Sequence, residues 1–359
     1  MLDTRRIQDF ILKGKEIFVG LEDSKRTWKL AVRHDRRVVH QVSMEARIPV
    51  LLSYLTNRFP DCTIHLIYEA GFKGFNLYDR LIEEGMDCVV IPPHLVTEEK
   101  VSKVKTDRRD ANRLAFILES GDLRSLCDVP DRERREDRQI SRTLTAIGKD
   151  IIRTRNRIHK FIDFHGIDLP FSSKGKWGRR EFAHLGTMPL PEPLRESLAI
   201  YLALLAQLWE HQGRLRESLK ALCRKERYRK AFLIARSIPG IGWYTAIRFV
   251  LELGEDLSRF TSGKKIAGFV GLVPGEHSTG ETEHKGRITG MGPGFIRSTL
   301  IENSWTAVRV DHALLAKFLR VKKNTGSKKK AIIAIARILV IRLRACLVSG
   351  EPYRMGTVG

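Results

Sequence analysis

Apolar and polar positions change their period along this chain, and the period divides it. Residues 17–22, Ile-Phe-Val-Gly-Leu-Glu, read as a buried strand. Trp28–Val32 and Arg37–Val42 run apolar or alternate, with polar breaks at 23–27 and 33–36, so a three-strand antiparallel meander is predicted. Pro49–Phe59 carries Val50, Leu51, Leu52, Leu55 and Phe59 at helical spacing, Thr63–Tyr68 is an apolar strand, and Phe75–Glu84 is a helix closed by Gly85. Asp87–Ile91 is a short strand ended by Pro92-Pro93, and Thr106–Glu119 is a helix with Ala111, Leu114, Ala115 and Leu118 on its apolar face. The order βββαβαβα predicts an α/β sheet covered by helices.

Beyond residue 130 the period is helical. Residues 131–138 are almost all charged; Ile140, Leu144, Ile147, Ile151, Ile158, Phe161 and Ile162 then recur every three or four residues among Arg and Lys, which predicts a long basic amphipathic helix to about Gly166. A basic loop, Ser172–Gly178, leads to a second long helix from about Glu192 to Lys225, rich in leucine. The two predict an antiparallel coiled-coil arm, serving dimerisation, nucleic-acid clamping, or both. A third region opens near Tyr228. It contains Ser237-Ile238-Pro239-Gly240-Ile241-Gly242, an apolar helix to Leu253, a stretch from Phe260 to Gly271, a glycine-rich section 271–294, and helices at about Ile296–Val308, Asp311–Leu319 and Lys328–Leu347. The expected domains are 1–130, 131–227 and 228–359.

Composition adds a partner. Lys and Arg outnumber Asp and Glu by 64 to 42, a net charge of +22, which draws the chain toward polyanions. Five scattered cysteines without Cys-x-x-Cys spacing speak against a disulfide framework or a zinc site. The segment Met1–Phe10 lacks the apolar core of a signal peptide, and the longest apolar stretch, Ala331–Leu347, is interrupted by Arg337, Arg342 and Arg344. A soluble protein of the cytoplasm, with no membrane partner, is expected.

Against this basic background, four acids stand out. The order βββαβαβα matches the ribonuclease-H-like one, in which the first and fourth strands, closed by Glu22 and Glu69, are neighbours. Asp107 and Asp110 are three apart, hence on one face near the start of a helix. Four convergent carboxylates suit two hard divalent cations, Mg²⁺ or alternatively Mn²⁺. Two such ions ~3.5–4 Å apart stabilise the attacking and leaving oxygens of a phosphodiester. Taken singly, each acid has a plainer reading: Asp107 and Asp110 as surface ion pairs with their arginine neighbours, Glu69 as a turn cap.

Val-Gly-Leu-Glu-Asp-Ser-Lys at 19–25, Tyr-Glu-Ala-Gly at 68–71 and Lys-Thr-Asp-Arg-Arg-Asp-Ala at 105–111 resemble the signatures of DEDD-type insertion-sequence transposases, relatives of the pilin-gene invertases with a RuvC-like N-terminal domain. The stretches Ser-Ile-Pro-Gly-Ile-Gly at 237–242, Ile-Ala-Gly-Phe-Val-Gly-Leu-Val-Pro at 266–274, His-Ser-Thr-Gly at 277–280 and Gly-Arg-Ile-Thr at 286–289 are similar to the same family's second domain. The resemblance spans nearly the whole chain. It implies a DNA recombinase acting on element ends and target, guided by a structured noncoding bridge RNA, and working as a dimer or tetramer at the prokaryotic nucleoid. It implies that Glu22, Glu69, Asp107 and Asp110 of one subunit hold the metal, and that Ser278 of another forms a covalent 5′-phosphoserine link, with Thr279 as the adjacent alternative hydroxyl.

Two departures stand out. The first acid is usually Asp; here Glu22 holds the position, with Asp23 as a spare that a strand would turn to the opposite face. The usual Lys-x-Gly-Asn after Ile-Thr is replaced by Gly290-Met291-Gly292-Pro293.

Ser278 is expected in a loop behind Pro274-Gly275-Glu276-His277, where a base or metal must activate its hydroxyl. His277 is either that base or a solvated histidine. Ser237–Gly242 reads as the hairpin of a helix–hairpin–helix whose backbone N–H groups can cradle phosphate, or as a plain joint between helices. Basic clusters at 132–138, 153–160, 174–180, 224–230 and 322–330, with Trp177 and Tyr228 among them, are candidate RNA or DNA contacts. The competing readings are a Mg²⁺-dependent structure-specific nuclease of junction-resolvase type, with Ser278 a bystander, and a binding protein whose site has decayed.

Overall fold

Strand β1 (Glu16–Glu22) pairs antiparallel with β2 (Thr27–His34), which pairs antiparallel with β3 (Arg37–Glu45). On its other side β1 runs parallel to β4 (Thr63–Glu69), and β4 parallel to β5 (Asp87–Ile91). The sheet order is therefore β3-β2-β1-β4-β5, with the meander on one edge and the crossover strands on the other. The computed structural model describes residues 12–93, 107–123, 126–171, 178–279 and 282–355, with backbone alone at 179, 276–279 and 282–285. These residues fall into two compact units that divide between Val129 and Pro130.

In the first unit the strand period of two decides which side chains meet which helix. Ile17, Val19 and Leu21 of β1, with Leu66 and Tyr68 of β4, join the cluster completed by Leu51 and Leu55 of α1 (Ile48–Arg58) and Leu77 and Leu81 of α2 (Asn76–Glu83). The alternate residues face α3 (Asp107–Ser120): Ala31 meets Ala111 and Ala115, and Ile67 meets Leu114. Gly20 lets α3 come this close. A Cβ at Gly20 would fall on the Ala111 carbonyl oxygen and the Ala115 amide nitrogen, both backbone atoms of a helix that cannot yield locally. Gly20→Ala is expected to destabilise the unit by about 3 kcal/mol, in the overpacking range; urea unfolding measures this.

A buried ion pair fixes the far end of α3. Arg33 Nε donates to Glu119 at 2.6 Å, its other nitrogens reach Asn112 and the Arg36 carbonyl, and both charged side chains are under 10% exposed. All of these groups are satisfied, so removing either partner would strand a buried charge.

In the second unit, α4 (Arg132–Phe164) and α6 (Glu192–Arg224) pack along each other. Leu144 shares a cluster with Leu219 and Leu222, while Ile158 and Ile162 share another with Leu198 and Leu202, so the helices are antiparallel. The leucine and isoleucine spacing predicts this pair. The short helix α5 (Arg179–Gly186) is not apparent from sequence; it is held by Leu185 in the outer cluster and by Phe182 against Trp209, ring centroids 5.0 Å apart. Residues 172–177 of the basic loop before it, Trp177 among them, lie outside the described residues.

Helix α7 (Glu226–Arg236) starts immediately after α6 and contains Tyr228. Then come α8 (Trp243–Leu253), α9 (Gly263–Phe269), an antiparallel pair β6 (Pro274–Thr279) and β7 (Thr282–Ile288), and α10 (Gly294–Val310), α11 (His312–Thr325) and α12 (Lys328–Ser349). The apolar run at 331–347 is the buried face of α12, through Ile335, Leu339 and Leu343. No helix among the described residues is long and apolar enough to cross a membrane.

Ion pairs fasten α4 to the rest of this unit. Arg142 grips Glu252 through two nitrogens at 3.1 Å, and Arg227 reaches Asp131, Glu133 and Glu255. Buried Arg248 donates to Ser141, Thr145 and Tyr244 and lies 3.6 Å over the Phe295 ring. The basic cluster at 132–138 is thus partly internal: Arg134 faces Glu255 and Arg138 faces Glu252. Charge density along the sequence overstates the surface charge here, because the acids that neutralise it lie about a hundred residues away.

Candidate active site

Four carboxylates gather at one end of the first unit's sheet. Glu22 follows Leu21, which stands opposite Tyr68 in the parallel ladder, and Glu69 follows Tyr68. By strand alternation Glu22 shares the face of Gly20, and Glu69 shares the face of Ile67, so both look toward α3. Asp107 and Asp110 occupy the first turn of α3, on the stripe that continues through buried Ala111 and Leu114 toward the sheet. The close approach that Gly20 permits therefore carries the two aspartates to the strand ends.

The electrostatics record the convergence. Burial pushes the Glu22 carboxyl above the ordinary glutamate range, and the negative charges of Asp107, Glu69, Asp110 and Asp23 push it further in that order. Every one of the four sequence-predicted acids takes part. Among the described residues no three acidic, histidine or cysteine side chains are already drawn into a coordination cage. Oxygen donors alone, arranged around one half-buried glutamate, match the preference of a hard divalent cation, and the set fits such an ion chemically.

Asp23 has other work. Its Oδ1 accepts from Trp28 Nε1 at 2.6 Å and pairs with Lys73 Nζ at 2.8 Å, leaving the side chain 4% exposed. Lys73 also lies 4.8 Å over the Trp28 ring and donates to the Ser24 carbonyl. Asp23 thus ties the β1–β2 turn to the loop after Glu69, a partnership with no signature in the local sequence. Asp23→Ala leaves the indole N–H and the ammonium without their acceptor, and a loss of about 2 kcal/mol is expected in chemical denaturation.

Ser278 lies in the other unit. The structure corrects the expected loop: Ser278 is in β6, opposite Glu283, one residue before the Thr279–Thr282 pair that ends the ladder. The β-branched Thr279 and Thr282, which pair where the ladder ends, favour extended backbone. The side chains of His277, Ser278 and Thr279, and residue 280, lie outside what is described. The base of this ribbon is clamped. Gly271 and Gly292 each adopt positive φ, and a Cβ at either would strike the opposite chain, at Met291 and Phe269. Arg297 donates to the carbonyls of Val270 and Met291. The departing segment 290–293 is this return of the ribbon.

The turn 237–242 joins α7 to α8. Gly240, at φ 86°, lies against α10, where a Cβ would collide with Ala307 and Asn303, so this glycine serves packing. Gly242 is exposed and caps α8.

Comparison with known proteins agrees with this architecture. Residues 19–167 match the DEDD transposase family of IS110, and residues 233–320 match the Transposase IS116/IS110/IS902 family. A Sinorhizobium fredii protein named as a transposase, y4qE, is 30% identical over 303 residues, covering 81% of this chain and 72% of that protein. The transposase for insertion sequence element IS1533 of Leptospira borgpetersenii is 24% identical over 250 residues, 67% of this chain and 70% of that protein. The pilin gene-inverting protein of Moraxella bovis is 32% identical over 133 residues, 36% of this chain and 41% of its own length. The first match covers the α/β unit and the helical unit together, and both family matches fall in order along the chain. The chain belongs to the IS110/IS116 family of insertion-sequence DEDD transposases and is a DNA transposase.

Proposed function

We propose that this transposase cuts and rejoins DNA through a covalent phosphoserine link, with divalent ions held by Glu22, Glu69, Asp107 and Asp110, under the direction of a structured RNA. The observation that supports the metal part of this reading is the convergence of Glu69, Asp107 and Asp110 on the half-buried Glu22 carboxyl. Mg²⁺ bound to these oxygens would stabilise charge on the attacking and leaving oxygens of the phosphodiester. Glu22 and Glu69 project from rigid adjacent strands, and Asp107 and Asp110 from a helix pressed onto them, so the acids are held without a mobile loop.

Ser278 attacks phosphorus. The Ser278 Oγ–P bond forms, the P–O3′ bond breaks, the serine proton passes to a base or to water, and the leaving 3′ oxygen takes up a proton. Attack by a 3′-hydroxyl of the second strand reverses these steps and frees the serine. Acids and serine belong to separate units, which suits a site completed between subunits of a dimer or tetramer.

The guide RNA rests on the family resemblance and on the net charge of +22. The test is strand exchange on supercoiled DNA carrying the element's ends, with and without Mg²⁺ and with and without the noncoding RNA transcribed from the element's flank. Exchange that needs both is expected. Exchange without the RNA would remove the guide, and exchange in the presence of a chelator would remove the metal role.

A further inference from the structure

Helices α6, α7 and α8 surround an open cleft of about 600 Å³ lined by Lys220, Arg224, Arg229, Arg236, Phe232 and Trp243, among others. That volume is in the range of small-ligand sites. No acidic residue lines it. Lys220 is paired with Glu217 one turn back along α6, at 2.8 Å. Arg224, Arg229 and Arg236 are exposed and make no ion pair among the described residues. Their neighbours behave differently: Lys225 and Arg227 point away from the cleft and are neutralised by Asp131, Glu133, Asp137 and Glu255. The basic cluster at 224–230 is thus sorted by side, with its α4-facing charges matched and its cleft-facing charges left over.

The leftover charges converge. Arg224 and Arg236, one on α6 and one at the end of α7, both impose positive potential on the Cys223 thiol in the cleft wall. Guanidinium groups gathered in this way repel one another and favour an anion, and arginine matches phosphate geometry with paired N–H donors. A bare phosphate does not account for the remaining wall, which is apolar: half-exposed Leu233, Trp243 with Lys220 Nζ 5.8 Å from its ring, and behind them the buried Phe232. A flat base beside its own phosphates satisfies both kinds of surface. A base reaches an indole in this way only when it is not stacked inside a duplex.

We infer that this cleft binds an unpaired nucleotide of a nucleic-acid strand, its base against Trp243 and its flanking phosphates on Arg224, Arg229 and Arg236. The inference rests on the reading that the protein handles nucleic acid, and it needs neither the acids nor Ser278. RNA and single-stranded DNA share the chemistry.

The test uses the full chain and labelled short oligonucleotides: a single-stranded ribose form, a single-stranded deoxyribose form and a duplex, followed by fluorescence anisotropy across a salt series. Trp243→Ala is expected to weaken single-strand binding about tenfold, with Trp243→Phe restoring most of it and duplex binding unchanged. The triple variant Arg224→Gln, Arg229→Gln, Arg236→Gln should weaken single-strand binding and lower its salt slope by about 2, at ~0.7 per phosphate. These arginines are exposed, so the triple variant keeps the test valid if Trp243→Ala fails to fold. The tighter of the ribose and deoxyribose strands identifies the source. Single-strand affinity within about twofold of the parent in both variants overturns the inference, as does an equal loss for the duplex. Strand exchange and the covalent adduct are read separately, so failure here and failure of the recombination reading are distinguishable.

Discussion

Ser278→Ala is expected to abolish the covalent protein–DNA adduct and to lower strand cleavage by about 10⁴-fold or more, as loss of a nucleophile does. The effect should be confined to chemistry. Ser278 sits near the end of a two-stranded ribbon, and alanine there removes one hydroxyl without touching the clamp formed by Gly271, Gly292 and Arg297. Binding to element DNA and thermal stability should stay close to those of the parent. The same variant decides between the recombinase and a metal-dependent nuclease, because a nuclease using water as nucleophile would cleave normally without this serine. An adduct that persists in Ser278→Ala but disappears in Thr279→Ala would transfer the role to the neighbouring hydroxyl.

Glu22→Gln is expected to lower cleavage at least ~100-fold, by analogy with losses at groups that hold a metal in place, while making the metal-free chain more stable. The two effects have one cause. Burial and four neighbouring acids oppose the Glu22 charge, and glutamine keeps the shape without the charge. The sign with pH follows from proton counting. Below the ordinary glutamate pKa near 4.5 Glu22 is protonated in the folded and the unfolded chain alike. Above it the unfolded chain releases its proton first, so the folded chain holds more protons and loses stability as pH rises until its own raised pKa is passed. In the absence of divalent ions, thermal unfolding from pH 4 upward should show this decline in the parent and a flatter profile in Glu22→Gln. A glutamine variant that is less stable than the parent at neutral pH would mean that Glu22 is held by favourable partners rather than strained by like charge.

Most of the first unit can be read from sequence because strand alternation and helix periodicity are local. Ile17, Val19 and Leu21 announce one buried face, and Ala111, Leu114 and Ala115 announce the helix stripe that meets the other. The same alternation puts Glu22 and Glu69 on the α3 side. The role of Gly20 was not legible, since a glycine in a strand can mark a bulge, a bend or a close approach, and only the packed helix tells which. The anchoring of Asp23 by Trp28 and Lys73 depends on two separate loops meeting. In the second unit the antiparallel pair α4 and α6 follows from leucine spacing, whereas the ribbon β6–β7 was concealed by glycines that read as loop. The basic clusters were the least legible feature. Arg134, Arg138 and Arg227 are paired with Glu255, Glu252 and Asp131 inside the unit, while Arg224, Arg229 and Arg236, close to Arg227 in sequence, make no ion pair among the described residues.

Titration of the full chain with Mn²⁺, following the free ion by electron paramagnetic resonance, tests most directly whether Glu22, Glu69, Asp107 and Asp110 form a divalent-ion site. Saturable binding in the parent, competed by Mg²⁺ and weakened at least about tenfold in Glu22→Gln, Glu69→Gln and Asp107→Asn alike, is the expected result. Free Mn²⁺ that rises in step with the amount added, or binding that these three substitutions leave unchanged, would contradict it.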